Sequence, residues 1–359
     1  MNNRYWNRPT RLSAAFAIIL LSSLTSNLRA ADEPASSAAA AQPIDVEIFH
    51  APRLLDRSDK AFRYPEGERQ DGYEGWVHLN FMVDPQGKAV EPMVVESSNP
   101  VFDREALRGV QSLQFEPAKR GTTAIYASQD LKVIFSLRGL EKGARPDFVD
   151  QYKRTVKAID ANDRDAAAAS LAKMKVTNLY EDAYLSLCRY DYHLKWGTDA
   201  EQLKDLRHAL AFEKEPNYLT RAQFIAVLTA TLRLELKRQD FGPALDTWTR
   251  LEPMLSKKDT DIWKPFIDEV AALRTSDAAF STPGEIAGAA TSWNGVLLKR
   301  RFRIQVASGR VSEIKLRCER NYLFFPYDPQ LEYKVEARSG RCSIELVGDP
   351  GTKFDLVQS

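Results

Sequence analysis

The stretch that decides the fold begins at Gly72 and reads GYEGWVHLNFMVDPQG over residues 72–87. From Gly75 onward its side chains alternate with the period of two that is typical of a β-strand. One face carries Val77, Leu79, Phe81 and Val83, and the other carries Trp76, His78, Asn80 and Met82. The four residues 84–87, Asp-Pro-Gln-Gly, have the composition of a turn. The stretch therefore predicts the first strand and the turn of a β-hairpin.

The residues that follow complete a small α+β unit. Residues 90–96 are predicted to form the returning strand of the hairpin. A helix is indicated next by apolar residues at helical spacing, namely Phe102, Ala106, Val110 and Leu113. A third strand is indicated by the alternating residues Leu131, Val133, Phe135 and Leu137. The predicted order is strand, strand, helix, strand.

This order and these residues resemble the C-terminal domain of the TonB family of periplasmic energy transducers, over roughly residues 64–137. The shared features are Tyr64-Pro65, Gly75, Val83-Asp84, Gly87, Val94-Val95, Ser97-Ser98, Phe102-Asp103, Ala106-Leu107, Phe115 and Pro117-Ala118. The resemblance implies a ββαβ domain whose partner is a short segment of an envelope or outer-membrane transport protein. In the family the binding edge is the last strand, which implies as partner-binding residues Gln129, Leu131, Val133 and Phe135.

The binding mechanism that such a domain offers is strand addition. A sheet edge presents unpaired backbone N–H and C=O groups, and an extended partner segment can bind to them. The opposite interpretation carries equal weight at the level of sequence: the helical region that follows directly could cover the last strand.

The N-terminus has the pattern of a secretory signal. Arg4, Arg8 and Arg11 precede an apolar run at residues 12–24, and Ala30-Ala31 supplies a small-residue cleavage site. We predict a signal peptide at residues 1–31, a flexible linker at 32–43 and a mature protein in the periplasm, without membrane insertion after cleavage. The alternative is an uncleaved inner-membrane anchor.

The rest of the chain divides by composition into two further regions. Residues 146–275 have helical periodicity, and two passages in them resemble the second helix of tetratricopeptide-type repeats. Short alternating segments separated by turns fill residues 285–359 and predict a small β-sandwich or barrel. Cys318 and Cys342 lie on two of these strands and are predicted to form a disulfide, because the compartment is oxidising. Cys188 lies in an apolar helical stretch and is predicted to be a buried free thiol.

The predicted fold class is accordingly a multidomain α+β protein. Its domains are a TonB C-terminal-like ββαβ domain at residues 44–140, an α-helical solenoid-like (tetratricopeptide-like) domain at 146–275 and a C-terminal β domain at 285–359.

Composition and motifs argue against several classes of function. The formal net charge of +1 gives no reason to expect a nucleic-acid partner. Nucleophile-elbow, phosphate-loop and dinucleotide signatures are absent, and no histidine has a second ligand at metal spacing, so no enzyme activity, cofactor or metal is predicted. Acidic pairs such as Glu181-Asp182 are interpreted as exposed starts of helices.

The sequence thus favours a periplasmic protein–protein interaction or scaffold protein. A membrane-anchored TonB-type energy transducer is the main alternative, and an enzyme with an unrecognised interdomain site is a lesser one. Transduction requires reach across the periplasm, whereas the twelve residues 32–43 extend to only about 40 Å at ~3.3 Å per residue.

Overall fold

The structure is a computed structural model that describes residues 49–55, 61–137, 143–211 and 218–359. The predicted signal peptide, the linker and the first residues of the TonB-like domain lie outside the described residues. In the part that is described, no helix is both long enough and apolar enough to cross a membrane.

The first region is built around one antiparallel sheet. Its elements in chain order are β1 (Phe49–His50), β2 (Arg53–Leu54), α1 (Glu66–Asp71), β3 (Gly75–Val83), β4 (Ala89–Ser97), α2 (Asp103–Gln111), β5 (Phe115–Glu116), β6 (Ala118–Arg120), β7 (Thr123–Ile125) and β8 (Ala127–Phe135), with a 3₁₀ turn at Pro100–Phe102 before α2. The main sheet has the order β4-β3-β8, while β2 pairs with β5 and the short strands β1, β6 and β7 form a second small sheet. The predicted order of strand, strand, helix and strand is confirmed, with five short strands and a short helix added to it.

Helix α2 packs on one face of the main sheet. Helix α2 and the residues that flank it contribute the buried side chains Phe102, Ala106, Val110 and Leu113, and the sheet contributes Val77, Leu79, Phe81, Val83, Val133 and Phe135. The first residue of β3 is Gly75, and a side chain would not fit there, because a Cβ atom would lie 2.1 Å from the ring of Phe102. The side chains of β3 that face α2 form this core together with those of the helix.

The second region is helical. Its elements are α3 (Pro146–Asp160), α4 (Arg164–Leu171), α5 (Leu179–Trp196), α6 (Asp199–Ala209), α7 (Arg221–Lys237), α8 (Phe241–Leu251) and α9 (Lys257–Leu273), with a 3₁₀ turn at Glu252–Met254. Side-chain caps fix several helix starts, as where Asn178 accepts a hydrogen bond from the backbone N–H of Glu181. Consecutive helices pack as the pairs α3–α4, α5–α6 and α7–α8. The tetratricopeptide-type resemblance stays a prediction.

The third region contains two four-stranded antiparallel sheets. Its strands are β9 (Phe280–Glu285), β10 (Ser292–Leu297), β11 (Arg301–Ser308), β12 (Val311–Cys318), β13 (Asn321–Pro326), β14 (Tyr333–Lys334), β15 (Cys342–Gly348) and β16 (Lys353–Gln358), and a 3₁₀ turn lies at Ala337–Ser339. The sheet orders are β10-β15-β12-β13 and β14-β11-β16-β9, and their inward side chains share one hydrophobic cluster. The two sheets form a sandwich, and the described strands do not close into a barrel.

The cysteines divide into one bonded pair and one thiol. Cys318 and Cys342 are opposite each other on β12 and β15, 4.0 Å apart at Cα, and they form the predicted disulfide. Cys188 is buried on α5 as a free cysteine, and burial raises the pKa of its thiol well above the ordinary range.

Candidate functional site

Strand β8 lies at the end of the main sheet. It pairs with β3 along its whole length, from Val83 opposite Ala127 to Gly75 opposite Phe135. No described strand is hydrogen-bonded to its other edge, although β12 and β13 of the sandwich lie near it. A strand in this position presents backbone N–H and C=O groups that are available to an added strand.

The sheet geometry shows which residues of β8 present these groups. The carbonyl oxygen of Trp76 accepts a 3.0 Å hydrogen bond from the N–H of Ser98, so the backbone of Trp76 is directed towards the β4 side. Opposite residues in an antiparallel ladder alternate between bonded and non-bonded pairs. Ile134, which is opposite Trp76, therefore directs its own N–H and C=O away from β3.

The same alternation assigns the rest of the strand. The residues in phase with Ile134 are Ser128, Asp130 and Lys132. The four residues named from the resemblance, Gln129, Leu131, Val133 and Phe135, have the opposite phase and direct their backbone groups towards β3. The side chains of Val133 and Phe135 are buried in the α2-facing core. The predicted strand is thus at the edge, but the outward groups belong to its alternate residues.

The outward-phase side chains form a mixed surface. Ile134 is 42% exposed, and Asp130 and Lys132 are also exposed. The carboxylate of Asp130 lies 3.2 Å from Nε2 of His78. Burial is the largest single effect and raises the pKa of Asp130, but the hydrogen bonds with His78 and Asn80 and the attraction to His78 together outweigh it and lower the pKa. The edge therefore offers one anionic, one cationic and one apolar side chain beside its backbone groups.

Helices cover part of the second face of the sheet. Trp76 is only 1% exposed, and its ring packs with Leu179 and Ala211. Its indole N–H donates a 2.9 Å hydrogen bond to the Asp182 carboxylate. Nζ of Lys132 donates to the carbonyl oxygen of Ala211. Trp76 lies on β3, but Lys132 belongs to β8, so the helical region also contacts the last strand, through the side chain of Lys132.

His208 on α6 connects the same two regions electrostatically. Its Nδ1 lies 2.8 Å from Glu96 of β4, and its Nε2 lies 3.0 Å from Asp182 of α5. Burial alone would lower the pKa of His208, but hydrogen bonds with the two carboxylates outweigh burial and raise the pKa to about 9. The imidazolium is therefore the form that the fold favours.

The interpretation of Glu181-Asp182 as an exposed helix start is wrong. The side chain of Glu181 is fully buried, and it accepts hydrogen bonds of 2.8 and 3.0 Å from the backbone and guanidinium of Arg145. Asp182 is 6% exposed and is bound to Trp76 and His208. The available signal was Trp76 itself, because a large indole on the supposedly polar face of β3 indicates a second packing surface.

The β-sandwich contacts the main sheet at β4. Nζ of Lys315 lies 3.0 Å from the Glu91 carboxylate, and the guanidinium of Arg317 donates a 2.7 Å hydrogen bond to the Glu91 carbonyl oxygen. The hydrogen bond from Lys315 is the main reason that the pKa of Glu91 is lowered. Near the start of β8, the rings of Tyr126 and Tyr322 are 6.2 Å apart. Both later regions therefore hold the first one in place.

Comparison with known proteins identifies the first region. Residues 60–137 match the sequence profile of the family described as Gram-negative bacterial TonB protein C-terminal. Residues 60–137 belong to the TonB C-terminal domain family. This TonB domain comprises about a fifth of the chain, so the family assignment does not extend to the helical and β-sandwich regions.

A similar solved structure is the solution NMR structure of the Pseudomonas aeruginosa TonB C-terminal domain. The sequence identity is 23%, and the similarity covers 25% of this chain and 91% of that one, with a TM-score of 0.23. No curated protein matches the chain.

Proposed function

We propose that this protein is a periplasmic interaction protein that binds an extended segment of an envelope or outer-membrane transport protein by adding it to β8. The observation that supports the proposal best is the edge position of β8, where Ile134 directs its backbone polar groups away from β3. Strand addition uses such groups for affinity and alternate side-chain positions for selection.

The side chains of the edge indicate what a partner segment needs. A segment that runs along the edge passes Asp130, Lys132 and Ile134, spaced two residues apart. Directly opposed apolar side chains stabilise a strand pair. We therefore expect the bound segment to place an apolar residue opposite Ile134, since the ammonium of Lys132 is already bound to the carbonyl oxygen of Ala211.

We favour a soluble scaffold over an anchored energy transducer. The TonB domain is held by the helical region through Trp76 and His208, and by the sandwich through Glu91. These contacts suit a fixed presentation of the edge, and the proposed role requires no catalytic step. Sequencing the N-terminus of the mature protein tests the location: a start near residue 32 in the periplasmic fraction is expected, and an intact Met1 in the membrane fraction would support the transducer.

The strand-addition step is tested by a pair of substitutions at one position. Ile134→Pro removes the outward-directed N–H. A sheet edge tolerates proline at this position, because the N–H that is lost does not bond to β3. Ile134→Ala removes the same side chain but keeps the N–H, so it is the matched control. Each variant is expressed in the periplasm with a photo-crosslinking residue at Asp130, and the crosslinked partners are identified by mass spectrometry.

We expect the alanine variant to retain the transport-protein crosslinks and the proline variant to lose at least about tenfold in yield, as removal of about 1.4 kcal/mol of binding free energy implies. Circular dichroism and thermal unfolding show whether both variants stay folded. Equal capture of the same partners by two folded variants would refute strand addition at this edge.

A further inference from the structure

Helix α9 ends the helical region without a partner helix. The helices before it pack as the pairs α3–α4, α5–α6 and α7–α8, whereas α9 has α8 as its main described neighbour and the chain then turns to strand β9. Only Ile267 and Val270 of its 17 residues have buried side chains. The end of a stack of helix pairs normally has a polar outer face, which keeps the protein soluble. Most of the surface of α9 is open to solvent, so its composition can be compared with that rule.

The exposed surface of α9 contains an apolar stripe. Ile262 and Phe266 are 47% and 48% exposed, and Leu273 is half-buried. At about 3.6 residues per turn, positions four and eleven residues apart lie on one face of a helix. The polar face lies on another side, where Nζ of Lys264 is 3.0 Å from the Asp268 carboxylate. The end of the helical region therefore presents apolar side chains where a polar cap is expected.

Two charged residues of opposite sign flank this stripe. Lys258 and Glu269 are exposed, and the helical period places both on the same side of the stripe, one towards each end of α9. Neither forms an ion pair within the part of the chain that the structure describes. Their charges are therefore available to another molecule that packs on the stripe.

The arrangement of these four residues is self-complementary. If a second copy of α9 packs on the stripe in the antiparallel direction, a two-fold axis near position 264 places each Ile262 opposite Phe266 of the other copy. The same axis places each Lys258 beside Glu269 of the other copy. A parallel pair would instead bring like charges together, which is unfavourable. The charges thus favour an antiparallel pair of α9 helices.

We propose that α9 is a homodimerisation surface, covered by α9 of a second copy of this chain. One pair of helices buries little area, and interfaces below about 1,200 Å² are typical of weak, transient complexes. The dimer is therefore reversible and depends on protein concentration. The surface is separate from the β8 edge, so the proposal does not depend on strand addition.

The apolar contact is tested by a pair of matched substitutions in the full mature chain. Phe266→Gln removes an exposed ring from the stripe, and Phe324→Gln removes a ring that is 66% exposed on β13 of the sandwich. Sedimentation velocity at several protein concentrations gives the dissociation constant of the dimer. We expect dimerisation to weaken at least about tenfold in the Phe266 variant, as for an aromatic residue at the centre of an interface, and to stay unchanged in the Phe324 variant.

The charge pairing is tested by Lys258→Glu and Glu269→Lys. Each variant alone places like charges together at both ends of the seam, so we expect each to dimerise about tenfold more weakly than the wild type. In an equal mixture of the two variants, the heterodimer has opposite charges at both ends. We therefore expect the mixture to recover the dimerisation of the wild type, which no effect on the fold of a single copy would produce.

Three results would overturn the proposal: a wild type that stays monomeric at every concentration, equal dimerisation by the two phenylalanine variants, or a mixture of the charge variants that dimerises no better than each alone. Thermal unfolding of each variant shows that a loss of dimer is not a loss of folding. Failure here leaves strand addition untouched, because the Ile134 variants test a different surface.

Discussion

Trp76 on β3 donates its indole N–H to Asp182 on α5 over 2.9 Å, and both side chains are buried. The same carboxylate lies 3.0 Å from the imidazole of His208. One acidic side chain of the helical region therefore binds an indole of the TonB domain and an imidazole that itself contacts Glu96 of β4. This arrangement makes Asp182 the electrostatic centre of the interface.

Removing that centre should destabilise the protein strongly. Asp182→Ala leaves the indole N–H and the imidazolium without their buried acceptor, and breaking a buried ion pair in this way costs about 3–5 kcal/mol. We expect a decrease of about 3 kcal/mol in the free energy of unfolding by urea. Asp261→Ala, at an exposed position of α9, is the control and should change stability by no more than about 0.5 kcal/mol. A decrease of the same small size in both variants would show that the contact does not stabilise the interface.

Stability should fall as the pH rises towards 9. The pKa of His208 is about 9 in the folded protein and near 6.5 in an unfolded chain, so folding favours the protonated form. The contribution is fully present below about pH 6.5 and is lost as the pH passes 9; its upper limit is roughly 3 kcal/mol. The measurement is the melting temperature of the wild type and of His208→Gln from pH 6 to 10. The difference between the two should shrink over this range, and a constant difference would contradict the assignment.

Periodicity predicted the main sheet because the information is local. Val77, Leu79 and Phe81 share a face by virtue of the strand alone, and the helical spacing of Phe102 to Leu113 identified the helix that covers them. The helices that cover the opposite face of the sheet were not predictable in this way. On that face Trp76 bonds to Asp182, which lies 106 residues further along the chain. Nothing in the local pattern of α5 distinguishes a buried acidic start from an exposed one.

The candidate binding edge shows the same limit. The family resemblance identified the last strand as the edge, but the phase of its outward groups depends on the register between β3 and β4, seen in the bond from Ser98 to Trp76. Likewise, the contact of Lys315 with Glu91 joins residues 224 positions apart. No spacing rule connects such residues, because only the packing of the sandwich against the TonB domain brings them together.

Substitutions at two glycines with positive φ distinguish the cost of backbone strain from the cost of steric overlap. Gly87, in the turn of the β3–β4 hairpin, has φ +79°, and a Cβ atom there would lie 2.0 Å from the carbonyl oxygen of Phe115. Gly121 has φ +57°, but nothing lies within 4 Å of its Cβ position. Gly121→Ala should therefore cost only the conformational term of roughly 1–2 kcal/mol. Gly87→Ala should cost more, because the overlapping atom belongs to the backbone of Phe115, whose N–H donates a hydrogen bond to the Gly87 carbonyl oxygen. Urea unfolding measures both changes, and equal losses would contradict the overlap.

The disulfide should stabilise the sandwich. Cys318 and Cys342 close a loop with a sequence separation of 24, for which chain entropy predicts roughly 3.5 kcal/mol of stabilisation. In Cys318→Ser/Cys342→Ser we expect a lower melting temperature by calorimetry.

Dithiothreitol supplies the internal control for this comparison. Because Cys188 is a free thiol, the reductant should lower the melting temperature of the wild type to that of the double variant and leave the double variant unchanged. A wild type that is insensitive to the reductant would show that the bond contributes little to stability. An equal shift in both proteins would show that the reductant acts elsewhere.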